Sequence, residues 1–265
     1  MKPLVFYDLE TGGLVIEPTA MPLADWQALR RKPEPVVRVT VDGKPWVLCP
    51  GNPIIQVAAV AVDEEWTELG WFEAKLRFRP ELAAPEALQM NSYDPEVWAR
   101  EAVNYPAGLQ AFATWLEKYR CVEMISKAGN PYTVAKLAGF NAGNFDQDML
   151  IRSMRDPLWQ GRALPGDNRR GEPRSIFLPA AFAVLDVMHD ARWAHHRGQI
   201  VIPCGDCSEG SRINCETCRG SGEIDSLKLT DLARAAGHEF DAHDALSDVR
   251  ATIAVARWLE ERKTL

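Results

Sequence analysis

The stretch LVFYDLETGG, residues 4–13, is an apolar strand that ends on two carboxylates and then breaks into Gly12 and Gly13. Asp8 and Glu10 are two residues apart, so on a strand they point to the same face. Two like charges side by side are costly unless a cation sits between them. The pair therefore reads as half of a metal site at a strand end. Taken alone it is equally a strand that stops in a polar turn, punctuated by its glycines. The rest of the chain has to decide.

At 265 residues the chain has room for one large domain or two small ones. Its 46% hydrophobic and 25% charged residues are the balance of a globular protein with a real core. The formal net charge of −7 argues against sequence-blind nucleic-acid binding over the whole surface. It leaves room for a local basic groove, and it suits a carboxylate-rich site that cations partly neutralise. Residues 1–14 hold one lysine and an apolar run that stops at Asp8, too short for the apolar core of a secretion signal. The longest apolar run, IIQVAAVAV at 54–62, is too short to span a bilayer and contains Gln56. The expectation is a cytoplasmic protein with no membrane partner. Its six cysteines are then thiols or metal ligands rather than disulfides.

After the first strand, residues 15–53 are Pro-rich and lack long periodicity. Within them VVRVTVDGKPWVL predicts a hairpin turning at Asp42-Gly43, so the segment reads as an insertion or flap on the core domain. Strands are expected at 54–62 and 68–78, a helix at 108–119, a strand at 134–141 and a helix at 145–156. Residues 157–179 read as loop. AFAVLDVMHDARWAHH passes from strand to helix, and two helices close the chain. Strands first, then strand–helix alternation, predict an α/β domain.

Acidic residues recur at the edges of these elements. Asp146, in GFNAGNFDQDML, follows a strand and opens a helix. His243 and Asp248 lie five apart in AHDALSDVRAT, and Asp244 is one helical turn from Asp248. Oxygen donors of this kind suit Mg²⁺ or Mn²⁺. Two such ions clamp the attacking and leaving oxygens of a phosphodiester displacement, and a histidine takes the proton from the attacking water.

The ordered set D-x-E, F-D, H-x-x-x-x-D resembles the DEDDh group of 3′→5′ exonucleases, the DnaQ-like family, over most of the chain. FYDLETGGL, FNAGNFDQDML and HDALSDVRATIAVA are similar to its three motifs. APEALQMNSYDP, AVLDVMHDARW and LKLTDLARAAG are similar to the segments between them. The HDA-x-x-D-V-x-A-T run looks closest to the exonuclease I branch. The resemblance implies an RNase H-like fold: a mixed central sheet flanked by helices, here one domain with insertions at 15–53 and 203–222. It implies that Asp8 bridges two Mg²⁺ or Mn²⁺ ions, that Glu10 and Asp248 complete the water-activating site, and that Asp146 holds the second ion. His243 becomes the general base. Thr11 and Gly12 contact the terminal nucleotide, and Met90 and Asn91 pack near its sugar. Asn141 stands five residues before Asp146, where many relatives carry a polar residue four before, so its role does not transfer. Asp148, Asp190, Asp241 and Asp244 are additional acids, assigned to surface or supporting positions, and Asp186 reads as a strand-end residue near the site rather than a ligand.

Two loops stand outside this pattern. Cys204, Cys207, Cys215 and Cys218 form C-x-x-C, seven residues, C-x-x-C, which suits one tetrahedral, structural Zn²⁺. CETCRGSG is locally similar to half of the cysteine-rich module of DnaJ-type chaperones. Cys49 and Cys121 read as packed thiols. Residues 152–175 carry Arg152, Arg155, Arg162, Arg169, Arg170 and Arg174 against three acids, net +3. They read as phosphate contacts, with Trp159 available to stack on a base, or equally as a solvated loop.

The expected function is metal-dependent hydrolysis from the 3′ end of single-stranded DNA, releasing 5′-mononucleotides. The alternatives are a 3′→5′ exoribonuclease and a non-catalytic nucleic-acid-binding module built on the zinc and arginine loops.

Overall fold

The computed structural model of the chain describes all residues except 1, 16–18, 31–35, 50, 144, 156–174, 182–184, 205, 208–216, 219, 220, 222, 264 and 265. Among the described residues the first half runs β1 (Leu4–Thr11), β2 (Thr19–Pro22), α1 (Leu23–Ala28), β3 (Val37–Val41), β4 (Lys44–Cys49), β5 (Ile54–Val62), β6 (Glu68–Arg77), α2 (Pro85–Met90), α3 (Pro95–Glu101), β7 (Val103–Asn104) and α4 (Tyr105–Leu116). The second half runs β8 (Arg120–Ile125), β9 (Pro131–Gly139), α5 (Asp146–Arg155), β10 (Leu185–Asp186), α6 (Val187–His196), α7 (Leu229–Ala235) and α8 (Ala245–Lys263).

The main sheet has the order β10-β9-β1-β5-β6-β7, with β8 paired to β9. Strands β1, β5 and β6 form an antiparallel meander. Strand β9 runs parallel to β1, and β10 parallel to β9. A three-stranded meander extended on one side by parallel strands, with helices on both faces, is the RNase H-like fold. Parallel neighbours place the ends of β1, β9 and β10 at one rim, where ligand sites form in open α/β sheets.

Strand β5 is buried at every position, which is why it reads as one apolar run rather than an alternation. Val57, Ala59 and Ala61 pack with Val5, Tyr7 and Leu9 of β1 against Leu109 and Phe112 of α4 and Met149 and Leu150 of α5. Ala58, Val60 and Val62 pack with Phe6 against Val187 of α6, Leu232 of α7 and Val249 and Val255 of α8. The alternation of β1 thus puts Asp8 and Glu10 on the α8 face, two and four residues beyond Phe6.

Residues 19–49 build a separate three-stranded sheet of order β2-β4-β3. Its hairpin turns at Asp42 and Gly43, both with positive φ (49° and 74°), as a two-residue type I′ turn requires. Strand β2 and helix α1 were not expected from sequence. Cys121 donates to Pro3 O at 3.2 Å, consistent with a packed thiol. The side chain of Cys49 lies outside the described residues.

Other boundaries differ for local reasons. Helix α4 begins at Tyr105 rather than 108, because Pro106 sits in its first turn, where the missing N–H costs nothing. A 3₁₀ turn, Glu117–Tyr119, ends that helical run. Helix α2 falls in a stretch read only as a motif, and α3 begins at the end of that stretch; Pro85 and Pro95 open them, and Asp94 caps α3 by accepting from the N–H of Glu96 and Val97. No helix among the described residues is long and apolar enough to cross a membrane.

Candidate active site

Strand β1 does not end cleanly. Its register with β5 shifts between Glu10 and Thr11, a bulge that re-aims the end of the strand. The chain then passes through a packed corner. The N–H of Gly12 donates to Pro53 O and its carbonyl accepts from Ala84 N–H, both at 2.7 Å. A Cβ on Gly12 would lie 2.7 Å from Ala83 Cβ and 2.9 Å from Pro53 Cδ, so only glycine fits. Thr11 is buried; its hydroxyl donates to Gly13 O at 2.9 Å, and its carbonyl accepts from the Asn91 amide at 2.9 Å. Met90, beside Asn91, is 59% exposed.

One residue that the sequence reading missed closes this corner. Asn52 is fully buried: its Oδ1 accepts from Val15 N–H at 2.7 Å and its Nδ2 donates to Leu82 O at 3.0 Å. Arg152 of α5 donates to the Asn52 carbonyl at 2.6 Å. Arg152, grouped with the basic loop above, is therefore turned inward and clamps the stem of the 15–53 segment. Arg155 is exposed; Trp159 and the other four arginines of that loop lie outside the described residues.

Asp8, Glu10 and Asp248 each present a carboxylate oxygen to one point, with the three atoms within 4.8 Å of one another. Asp248 comes from the first turn of α8. Its Oδ1 is buried and has no hydrogen-bond partner, as an oxygen reserved for a cation would. Asp146 opens α5 on the neighbouring strand end, and its charge is the first that Asp8 feels. His243 lies exposed in the turn before α8, at φ +69°, and its backbone N–H donates to the Asp248 carboxylate. The structure thus brings the four carboxylates and the histidine turn to one rim.

Burial, followed by the charges of Asp146, Glu10, Asp248 and Asp244, holds Asp8 well above the usual carboxylate range. Burial, then Asp248 and Asp244, push Glu10 up to about 7. Burial, then Glu10 and more weakly Asp186, push Asp146 up to about 8. Burial pushes Asp248 up to about 6 against the opposing His243 hydrogen bond. An all-oxygen donor set whose members resist ionising together fits a hard divalent cation.

The sign of this effect is testable. Unfolded carboxylates titrate near pH 4. Between there and the raised native values the folded chain holds more protons, so stability falls as pH rises. The metal-free protein is expected to melt at a lower temperature at pH 8 than at pH 5. Mg²⁺ or Mn²⁺ should restore stability more at pH 8, by mass action on ionised ligands. Melting curves at both pH values, with EDTA or with metal, check this; a metal effect that is absent or larger at pH 5 would contradict it.

The additional acids divide. Asp186 caps α6 through Met188 N–H and accepts from Asn141 N–H, both at 3.0 Å. Asp244, assigned above to a surface or supporting position, caps α8: its Oδ2 accepts from Ser247 N–H at 3.1 Å and its Oδ1 from Gln56 Nε2 at 3.2 Å. Gln56 escaped notice as a site residue, although a lone amide in IIQVAAVAV was the available signal.

Away from this rim, the Sγ atoms of Cys204, Cys207 and Cys218 lie within 4.8 Å of one another, Cys207 and Cys218 at 3.3 Å. The backbones flanking them meet through the N–H of Ile224 and the carbonyl of Ile202, at 2.9 Å. Cys215 lies outside the described residues.

The sheet and its rim of carboxylates define an RNase H-like domain with a candidate metal centre. No protein-family model and no curated protein matches the sequence. Solved structures do match the fold. Exonuclease I of E. coli with a dT13 oligonucleotide is 19% identical at a TM-score of 0.56, covering 100% of this chain and 42% of that one. A moderately thermophilic exonuclease I from Methylocaldum szegediense is 22% identical at a TM-score of 0.58, covering 100% and 41%. The zinc-ion-bound form of the E. coli exonuclease I–ssDNA complex is 18% identical at 0.57, covering 99% and 41%. The likeness read from the three motifs therefore extends to the fold, and this chain spans about two fifths of the length of those structures.

Proposed function

We propose that this chain is a metal-dependent 3′→5′ exonuclease that hydrolyses single-stranded DNA and releases 5′-mononucleotides. The observation that carries the reading is the convergence of the Asp8, Glu10 and Asp248 oxygens within 4.8 Å. Asp8 would bridge two Mg²⁺ or Mn²⁺ ions, with Glu10 and Asp248 on one and Asp146 on the other. Bound there, the ions supply positive charge to the attacking and leaving oxygens of an in-line displacement. His243 takes the proton from the attacking water; its exposure leaves the imidazole open to the substrate side.

Thr11 and Gly12 receive the terminal nucleotide. The N–H of Gly12 is spent on Pro53, so its contribution is close approach rather than a hydrogen bond. Exposed Met90 packs near the sugar, while Asn91 acts by fixing the Thr11 carbonyl. The 15–53 segment leaves the core at this corner, where Asn52 and Arg152 clamp its stem, and is proposed to act as a flap. The single-stranded DNA of the exonuclease I complex supports DNA as the first substrate. Matched DNA and RNA oligonucleotides, each with Mg²⁺, Mn²⁺ or EDTA, test this. DNA should be shortened faster, and neither polymer should be cut in EDTA. Faster loss of RNA would reassign the substrate; binding without cleavage would overturn the enzyme.

The three converging thiols, with Cys215, are proposed to hold one structural Zn²⁺. Four thiolates leave no open position for catalysis. The purified chain is expected to carry one zinc, and Cys204→Ser to lose it and melt at a lower temperature. Metal analysis beside melting curves decides; a zinc-free chain of unchanged stability would contradict the site.

A further inference from the structure

The side-chain amide of Gln56 ties the turn that carries His243 to the sheet. His243 occupies the left-handed region at φ +69°, which a non-glycine residue keeps only when its surroundings impose it. One restraint is the hydrogen bond from its own N–H to Asp248. A second acts on its neighbour Asp244, which caps α8 with one oxygen and accepts Gln56 Nε2 with the other.

Gln56 is only 3% exposed, in a strand that is otherwise apolar. Its Nε2 also donates to Glu73 Oε1 at 2.9 Å. Carboxylates only accept, so both amide hydrogens are committed and the amide has one orientation. A leucine would fill the same space with no polar group to satisfy. The register places Gln56 directly opposite Glu10 across β1 and β5. One side chain therefore spans from the strand position beside Glu10 to the residue next to His243.

Resting on the reading of this rim as a nuclease site with His243 as base, we propose that Gln56 is a positioning residue for His243. Its amide fixes the turn before α8 relative to the Asp8–Glu10 strand end, and so sets where the imidazole stands over the attacking water. The Glu73 hydrogen bond keeps the amide aimed. Gln56 touches neither substrate nor metal in this account.

A double-mutant cycle on single-stranded DNA hydrolysis in Mg²⁺ tests the proposal. Gln56→Leu is expected to lower kcat about ten- to a hundredfold, part of what a general base supplies, with KM held within about threefold. In a His243→Ala background the same substitution should cost nothing further, because it acts only through that imidazole. Asp244→Asn keeps the helix cap but gives up one carboxylate oxygen, so it should lower kcat less, in the same pattern. It carries the test if Gln56→Leu does not fold. Wild-type kcat in Gln56→Leu, or losses that multiply with those of His243→Ala, would overturn the inference alone. A wild-type chain that does not cleave DNA would overturn the functional reading and this inference with it.

Discussion

Asp8→Asn is expected to lower DNA hydrolysis by about 10³- to 10⁴-fold, the several kcal/mol that metal charge contributes to such a transition state. Asp8 is the one carboxylate proposed to serve both ions, so its loss disables the whole centre. The same substitution is expected to raise the melting temperature of the metal-free protein. Asp8 sits among Asp146, Glu10, Asp248 and Asp244, and its charge is opposed by burial and by all four. An amide of the same shape removes that repulsion while keeping the packing. Activity and stability then move in opposite directions, which loss of an ordinary structural residue does not produce. Steady-state rates beside melting curves in EDTA check both halves; a variant that is inactive and also less stable would mean that Asp8 matters for folding instead.

His243→Ala is expected to lower kcat about 10²- to 10⁴-fold, the range for loss of a general base. It should leave metal-induced stabilisation and DNA affinity nearly intact. The distinction from Asp8→Asn follows from geometry. The His243 side chain is exposed in a turn and takes no part in the carboxylate cluster, while its backbone N–H, which alanine keeps, supports Asp248. Kinetics and metal titrations on one preparation test this; a variant of wild-type kcat would remove His243 from the chemistry.

The candidate rim was legible because the chemistry proposed for it needs acids at places where acids are otherwise rare. Asp8 and Glu10 end an apolar strand, Asp146 opens a helix, and Asp248 lies five after a histidine; each anomaly is local in sequence. What holds the rim in place was not local. Asn52 binds Val15 and Leu82 and receives Arg152, and no short window contains these partners. Gln56 was visible as a polar interruption, yet its meaning required knowing that β5 lies beside β1 and below the turn at Asp244. Arg152 was misplaced because charge counting assigned it to a loop, whereas α5 turns it into the core. Strand β8 was missed for another reason. RCVEMI is a partly exposed strand paired to β9, without the clean alternation of a half-buried one.

The proposed activity is cleavage from the 3′ end by this carboxylate rim. The most direct measurement follows a 5′-labelled single-stranded DNA oligonucleotide in Mg²⁺, beside Asp8→Asn and an EDTA control. The expected result is a ladder that shortens one nucleotide at a time from the 3′ end, with 5′-monophosphates released and both controls blank. Immediate appearance of labelled mononucleotide, internal cuts, or a ladder that persists in Asp8→Asn would contradict it.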